Sequence, residues 1–169
     1  MLLLDLDGTC FDNTHRKHLV ECERPDWDAF LTPELVAEDP VFPEAKQALD
    51  YLRKYTSHNI VILTGRNASL KEVTSKAIIE KLEIPLDNLN HLIMRPVDNA
   101  EKPSVFKEKE IKKIVFNQVY PQEIIAIDDD PWMQVVYLKY GIFPLKAPEC
   151  WQYICQIKKD LPPEGFWRR

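Results

Sequence analysis

The sequence predicts a three-layer α/β protein with a parallel sheet, and two features of its apolar pattern carry this prediction. Short continuous apolar runs end directly in polar residues, which is typical of strands buried on both faces. Amphipathic stretches with apolar residues three or four apart lie between these runs and predict helices. Because the chain has 169 residues, within the usual size of one domain, we expect a single domain over residues 1–169.

Five apolar runs are the candidate strands. The runs at residues 2–4, 59–63 and 124–127 are rich in leucine or β-branched residues. The runs at residues 91–94 and 142–145 are weaker and predict two further strands. Strands that alternate with helices favour a parallel sheet covered by helices.

Four stretches between the runs predict helices. Residues 44–54 and 68–82 place apolar side chains at helical spacing. Residues 104–116 do the same among lysines and glutamates, and the serine at the start of this stretch is a candidate N-cap. Pro131 suits the first turn of a fourth helix, for which Gly141 is a candidate C-cap.

Residues 11–42 break the alternation. They lie between the first strand and the first crossover helix and contain three prolines and several acidic residues. We interpret them as a small, mostly helical cap insertion beside the carboxyl edge of the sheet, where functional residues often lie. Trp27 and Phe30 have the chemistry to stack on a base or sugar, but we expect them to pack the insertion against the core. Residues 161–169 are expected to be irregular.

Composition and charge exclude several functional classes. The formal charge of −5 excludes a broadly basic nucleic-acid-binding coat, although a local basic patch is compatible with it. No apolar run approaches the roughly 20 residues of a membrane span. The apolar start ends at Asp5, so we expect no signal peptide. The four cysteines form no CxxC pair, and we expect reduced thiols in a cytoplasmic protein.

Carboxylates follow two of the predicted strands. Asp5 and Asp7 come directly after the first run, and Asp128 and Asp129 come after the run that precedes them. Ligands bind at the carboxyl ends of strands in an open parallel sheet, and carboxylates that meet there repel one another unless a cation joins them. The first pair alone would also fit a turn, but the second pair favours a site for a hard divalent cation. Mg²⁺ fits best, because it also bridges to phosphate oxygens.

Three segments together resemble the motifs of the haloacid dehalogenase (HAD) superfamily. Residues 5–9 (DLDGT) resemble its first motif, residues 61–66 (VILTGR) its second, and residues 125–129 (IAIDD) its fourth. Their order and spacing match over essentially the whole chain. The resemblance implies a Rossmann-like fold and Mg²⁺-dependent phosphoryl transfer.

The resemblance also implies a role for each motif residue. Asp5 would be the nucleophile that forms an aspartyl-phosphate, and Asp7 would protonate the leaving group and then activate water. Thr64 would hydrogen-bond the phosphate. The chemistry agrees, because a carboxylate nucleophile splits one displacement into two steps and a nearby acid can carry the proton. The candidate metal ligands are Asp5, Asp7, Asp128 and Asp129.

The superfamily also uses a lysine to offset the charge of the phosphate and the aspartates. Several lysines precede the last motif, and we expect most of them on a solvated helix face. We choose Lys107, because it follows two apolar residues near a predicted helix start and can therefore face inward. Lys102 and Lys109 are the alternatives.

The insertion resembles the phosphatase domain of bacteriophage polynucleotide kinase, a subfamily that removes 3′-phosphates from nucleic-acid ends. Residues 15–16 (HR), 25–30 (PDWDAF) and 94–98 (MRPVD) carry this resemblance. It makes three arginines candidate phosphate or substrate contacts, since arginine binds phosphate through two parallel hydrogen bonds. A glycine in the second motif offers an unobstructed backbone N–H. The candidate substrate-binding residues are Arg16, Gly65, Arg66 and Arg95.

Two enzyme functions remain open: a phosphatase for nucleotide or nucleic-acid 3′-phosphates, and one for free nucleotides or another small metabolite. A non-enzymatic binding subunit is a third alternative, against which the intact acidic pair argues. No P-loop motif is present, so we expect no kinase domain in this chain. Phosphate contacts need lysine and arginine, so an acidic insertion favours recognition of a nucleic-acid end only. Its acidic residues are Glu21, Glu23, Asp26, Asp28, Glu34, Glu38 and Asp39.

Overall fold

The computed structural model describes residues 1–55, 59–87, 91–117 and 123–160, and a parallel sheet forms its centre. The strands are β1 (Leu2–Leu4), β2 (Ile60–Asn67), β3 (His91–Arg95), β4 (Ile125–Asp128) and β5 (Phe143–Lys146). Their order across the sheet is β3-β2-β1-β4-β5, and every neighbouring pair is parallel. The first strand therefore lies in the middle, with β2 and β4 on either side.

The insertion between β1 and the first long helix has the predicted helical character. It contains α1 (Thr14–Lys17), α2 (Trp27–Phe30) and α3 (Pro33–Glu38). Phe11 and Val41 form an isolated antiparallel bridge, and the N–H of Phe42 donates to the carbonyl oxygen of Cys10 at 3.0 Å. The insertion therefore leaves and rejoins the rest of the fold at one point beside β1.

Five longer helices cover both faces of the sheet. They are α4 (Pro43–Tyr55), α5 (Lys71–Lys81), α6 (Pro103–Phe116), α7 (Pro131–Lys139) and α8 (Glu149–Asp160). Residues of α4, α5 and α8 pack one apolar cluster, and residues of α6 and α7 pack the other. Leu2 and Leu4 belong to the first cluster and Leu3 to the second, because successive strand side chains point to opposite faces. The predicted three-layer α/β class with a Rossmann-like sheet is confirmed.

Strand β2 is longer than its apolar run predicts. It continues to Asn67, so residues 64–66 lie inside the strand rather than beyond its end. The reason is pairing with β3, which reaches Met94 opposite Thr64 and resumes at Arg95 opposite Asn67 after a register shift. The apolar pattern of residues 59–63 carries no information about this pairing with β3.

Two helix starts differ from the prediction. The stretch predicted as one helix over 68–82 begins with a 3₁₀ turn and becomes α-helical at Lys71. Helix α6 begins at Pro103 with Lys102 as its N-cap residue, so Ser104 does not cap it. Gly141 follows the end of α7 with a φ of +73°, the left-handed conformation that glycine adopts there at little cost.

No helix within the described ranges is long and apolar enough to cross a membrane. The prediction for residues 161–169 lies outside the described residues.

Candidate active site

Strands β1 and β4 are neighbours, so the acidic residues that end them meet at one edge of the sheet. Leu4 pairs with Ile127, and the N–H of Asp5 donates to the carbonyl oxygen of Ile127 at 3.0 Å. Asp128 is the last residue of β4. Asp5 and Asp128 are both buried, with 4% and 0% exposure. The register of two parallel strands therefore brings together side chains that are far apart in the chain.

Three carboxylates form what we call the carboxylate group, namely Asp5, Asp128 and Asp129. One oxygen of each lies within 4.8 Å of the others. Gly8 permits this approach, since a Cβ at Gly8 would lie 2.3 Å from Asp129 Oδ2. The Thr9 hydroxyl accepts the N–H of Asp129 at 3.0 Å. Several converging carboxylate oxygens are the donor set that suits Mg²⁺, so these residues fit the predicted cation.

Lysine 107 faces this group, as predicted. Its Nζ lies 2.7 Å from Asp5 Oδ1 and 3.0 Å from Asp128 Oδ2. The two alternative lysines lie elsewhere: Lys102 is exposed, and Lys109 pairs with Glu101 on the surface. Because α6 begins at Pro103, Lys107 sits one turn into the helix on its buried side.

One ammonium group faces three carboxylates, and the pKa values reflect that imbalance. Burial raises the pKa of Asp5 to about 8, against the opposing charge of Lys107 and with the support of Asp128 and Asp129. Burial and the charge of Asp128 also raise the pKa of Asp129. Burial alone would lower the pKa of Lys107, but the charges of Asp5 and Asp128 hold it well above its ordinary value. A divalent cation would balance the excess negative charge.

Tyr137 is a member of this site that the sequence did not reveal. It lies in α7 and is 1% exposed. Its hydroxyl, however, donates to Asp128 Oδ2 at 3.0 Å, the same oxygen that Lys107 contacts. The sequence offered one indication of this contact, because the hydroxyl of a buried tyrosine usually needs a hydrogen-bond partner.

Asp7 lies outside the carboxylate group, so the predicted set of four metal-binding carboxylates differs from the structure at this residue. Its oxygens pair instead with two arginines. Arg66 Nε lies 2.8 Å from Asp7 Oδ2, and Arg66 NH2 lies 2.9 Å from Asp7 Oδ1. Arg16 NH2 lies 2.5 Å from Asp7 Oδ1. Burial would raise the pKa of Asp7, but Arg66 and Arg16 together hold it below its ordinary value.

Asp39 completes what we call the arginine cluster, which consists of Arg16, Arg66, Asp7 and Asp39. Arg16 holds Asp39 with two parallel bonds, from Nε at 2.8 Å and from NH2 at 2.7 Å. Arg66 NH2 reaches Asp39 Oδ2 at 2.9 Å. The sequence interpretation placed Asp39 among the acidic residues of the insertion that oppose nucleic acid. That was wrong for Asp39, because it is 1% exposed and paired.

The cluster limits what its two arginines can contact. Arg16 and Arg66 are 0% and 1% exposed. The remaining terminal nitrogen of Arg16 donates to the carbonyl oxygen of Phe30 at 3.0 Å, and Arg16 is not among the residues that line the cavity at this edge. Arg66 lines that cavity, but two of its three nitrogens are committed to carboxylates.

A cavity of about 210 Å³ lies at this edge of the sheet. Its lining includes Asp5 and Asp7 from the sheet edge and Trp27 and Phe30 from α2 of the insertion. Phe30 is buried beneath the Arg16 guanidinium, which lies 4.1 Å from its ring centre, as expected for a packing residue. Trp27 is 54% exposed and lies edge-on to Phe30. The expectation that Trp27 packs into the core was therefore wrong.

The remaining predicted site residues occupy different places around this cavity. Gly65 lines it and packs against Pro103, where a Cβ would come within 2.6 Å of the proline Cβ. Arg95 also lines it, with NH1 donating to the carbonyl oxygen of Glu101 at 3.0 Å. Thr64 is fully buried, and its hydroxyl accepts the N–H of Arg66 at 3.2 Å. A phosphate contact from Thr64 stays a prediction.

A protein-family model matches most of the chain. The model of the family described as HAD superfamily, subfamily IIIB (acid phosphatase) matches residues 1–121. Those residues contain β1, the insertion, β2, β3 and α6, and therefore Asp5, Asp7 and Lys107. Among curated proteins, none matches the sequence significantly.

Several solved structures share this fold. A chain of the Pnkp1/Rnl/Hen1 RNA repair complex is 17% identical with a TM-score of 0.60. The match covers 86% of this chain and 41% of that one, so this chain spans about two fifths of that relative. A haloacid dehalogenase-like hydrolase from Streptococcus pneumoniae is also 17% identical, with a TM-score of 0.60 and coverage of 86% and 82%.

A HAD-superfamily hydrolase, subfamily IA, variant 1, from Geobacter sulfurreducens is similar as well. It is 14% identical with a TM-score of 0.56, and the match covers 86% of this chain and 87% of that one. At such low identity these likenesses concern the fold alone.

Proposed function

We propose, because the chain belongs to the haloacid dehalogenase (HAD) superfamily, that it is a Mg²⁺-dependent phosphomonoester hydrolase that works through an aspartyl-phosphate. Membership of a family described as acid phosphatase supports an enzyme of the hydrolase class over the third alternative, a non-enzymatic binding subunit. The reaction and its substrate are the proposal.

One observation carries this proposal: Asp5 belongs to the carboxylate group and also lines the cavity. A carboxylate that touches both a cation site and a substrate-sized space can attack a phosphorus atom held there. Asp128 and Asp129 line the same cavity. The carboxylate group thus faces the cavity that a phosphate ester would enter.

Each residue then has a task in two successive displacements. The negative charge of a bound phosphate opposes the two arginines that lower the pKa of Asp7, so Asp7 takes up a proton in the complex. An oxygen of Asp5 then attacks phosphorus, the ester P–O bond breaks, and the leaving oxygen takes that proton from Asp7. Asp7 next removes a proton from a water molecule, which attacks the aspartyl-phosphate, releases phosphate and regenerates Asp5. Lys107 holds Asp5 against Asp128 and offsets negative charge as phosphate approaches.

Asp5, Asp128 and Asp129 would hold Mg²⁺. When bound, the ion supplies positive charge to the phosphoryl oxygens.

The arginines have a different task from the predicted one. Arg66 and Arg16 bind Asp7 through three hydrogen bonds, so we assign them to the orientation of the acid–base carboxylate. Arg95, whose buried Nε has no hydrogen-bond partner, and the N–H of Gly65 remain the proposed substrate contacts.

We further propose that the substrate is a nucleotide or nucleic-acid end with a 3′-phosphate. The cavity is smaller than the roughly 300–1,000 Å³ of most ligand sites, so it would take the phosphate and the adjoining unit only. The exposed ring of Trp27 offers a surface on which a base can stack. The similarity to a chain of an RNA repair complex supports this class.

The second candidate is a phosphatase for free nucleotides or another small phosphorylated metabolite. The small cavity suits a small ester. The acidic exterior of the insertion disfavours contact with the further phosphates of a nucleic-acid chain. A cytoplasmic location stays a prediction in either case.

A substrate panel tests the proposal. Purified protein is assayed for phosphate release with Mg²⁺ and with a chelator. The panel contains oligonucleotides with a 3′-phosphate or a 5′-phosphate, the matching mononucleotides and a sugar phosphate. We expect Mg²⁺-dependent release that is fastest from 3′-phosphates and independent of oligonucleotide length beyond the first few units. Equal rates on the sugar phosphate would support the metabolite candidate, and no release from any ester would contradict both.

A further inference from the structure

The arginine cluster contains two carboxylates with unequal access to the cavity. Asp7 lines the cavity and its side chain is 23% exposed. Asp39 does not line it, and its side chain is 1% exposed. Asp7, which a substrate can reach, is therefore held by Arg16 and Arg66. Asp39, which a substrate cannot reach, holds the same two arginines.

Asp39 is fixed from several directions. Its backbone carbonyl oxygen accepts Lys81 Nζ of α5 at 2.8 Å, which ties it to a helix that packs on the sheet. His15 Nε2 lies 2.9 Å from Asp39 Oδ1. Arg16 occupies both carboxylate oxygens and Arg66 one of them. Such a bidentate arginine pair has low freedom of rotation.

The shared arginine nitrogens transmit this position to the reaction centre. NH2 of Arg16 donates to Asp39 Oδ2 and also to Asp7 Oδ1. NH2 of Arg66 does the same. A shift of either guanidinium group relative to Asp39 would therefore move the carboxylate of Asp7.

We propose that Asp39 is a positioning residue, which fixes Arg16 and Arg66 so that they place the carboxylate of Asp7 beside the leaving group. The assignment rests on the proposed function, in which Asp7 gives its proton to the leaving oxygen. Misplacement of a proton donor slows the departure of a poor leaving group far more than that of a good one. The fall in rate caused by removal of the Asp39 carboxylate should therefore depend on the leaving group. A fall caused by a general loss of stability would be the same for both kinds of ester.

The experiment compares two phosphate esters that differ in the need for that proton. A 3′-phosphorylated oligonucleotide has an alkyl leaving group, and p-nitrophenyl phosphate has a stable phenolate. Wild type and Asp39→Asn are measured for kcat and KM on both at saturating Mg²⁺. We expect Asp39→Asn to lower kcat for the alkyl ester at least about tenfold more than for the aryl ester, with little change in KM.

The control is Glu38→Gln, which removes one carboxylate from the exposed neighbouring position and should leave both rates unchanged. An equal loss on both esters, or no loss on either, would overturn the assignment. If Asp39→Asn does not fold by circular dichroism, Asp39→Glu keeps the charge and shifts the carboxylate by one methylene. A wild-type ratio of the two rates in Asp39→Glu would also overturn it. A wild type that cleaves neither ester would instead refute the proposed function.

Discussion

The carboxylate group and the arginine cluster lie side by side at one edge of the sheet, and they solve the same electrostatic problem differently. The carboxylate group has three acids and one buried lysine. The arginine cluster has two acids and two buried arginines. Asp5 and Asp7 are only two residues apart, yet burial raises the pKa of Asp5 and arginines lower the pKa of Asp7. Partner count, rather than burial, separates the nucleophile candidate from the acid–base candidate.

The same substitution at Asp5 and at Asp7 tests whether the two environments differ. Asp5→Asn should lower kcat by about 10³-fold or more, because it removes the nucleophile. Asp7→Asn should lower it by about 10²–10⁴-fold, because it removes the acid–base group. Activity alone would not separate them, so thermal unfolding in a chelator is measured at pH 7.

The two variants should differ in stability with opposite signs. Asp5→Asn removes an acid that must take up a proton to be buried at pH 7, because its pKa rises from 3.8 to about 8 on folding, and it should therefore raise the midpoint of unfolding. Asp7→Asn leaves two buried arginines with one fewer acid and should lower the free energy of unfolding by about 3–5 kcal/mol. Asp50→Asn, at an exposed site on α4, is the control. Shifts of equal sign would show that the two environments are alike.

A second test removes the one cation of the carboxylate group. Lys107→Met leaves Asp5 and Asp128 without their shared ammonium. It should lower the free energy of unfolding by about 3–5 kcal/mol in a chelator and reduce kcat by about 10²-fold. Lys109→Met is the matched control, because Lys109 lies two residues away on the same helix and its ion pair is exposed. We expect less than about 1 kcal/mol there, and equal effects would contradict the assignment of Lys107.

A third test follows the pH dependence of stability. In a chelator the folded protein keeps a proton on Asp5 up to pH about 8, whereas an ordinary aspartate loses it near 3.8. Folded protein therefore binds more protons between these values, and stability should fall as pH rises from about 4 to about 8. The lowered pKa of Asp7 makes stability rise with pH instead, but only at pH values below the ordinary pKa of an aspartate.

Unfolding midpoints at pH 5 and pH 8 measure this dependence, with chelator and with Mg²⁺. Mg²⁺ should stabilise the protein more at pH 8 than at pH 5, since it competes with the proton for Asp5. Asp5→Asn should flatten the profile. A profile that rises with pH in wild type would contradict the raised pKa of Asp5.

Local patterns predicted the strands, the longer helices other than α8, and the carboxylate edge. Leu2–Leu4 and Asp5 are adjacent in the chain, so a buried run that ends in an acid needs no distant information. Lys107 was favoured because it follows two apolar residues near a predicted helix start, but that pattern left Lys102 and Lys109 as alternatives. The continuation of β2 through Arg66 was not, since β3 supplies the pairing that extends it.

Sequence patterns predicted the fold class and an acidic site at the ends of β1 and β4, and they favoured Lys107 over Lys102 and Lys109. Which partners each acid receives, and that Asp7 lies outside the carboxylate group, depended on the packed structure. Asp7 meets Arg66 across 59 residues, and Asp39 meets Arg16 across 23. Apolar periodicity shows which face of a helix or strand is buried, but it does not show which charged side chains of other elements pack against that face. The pairing of buried charges is therefore a property of the packed chain.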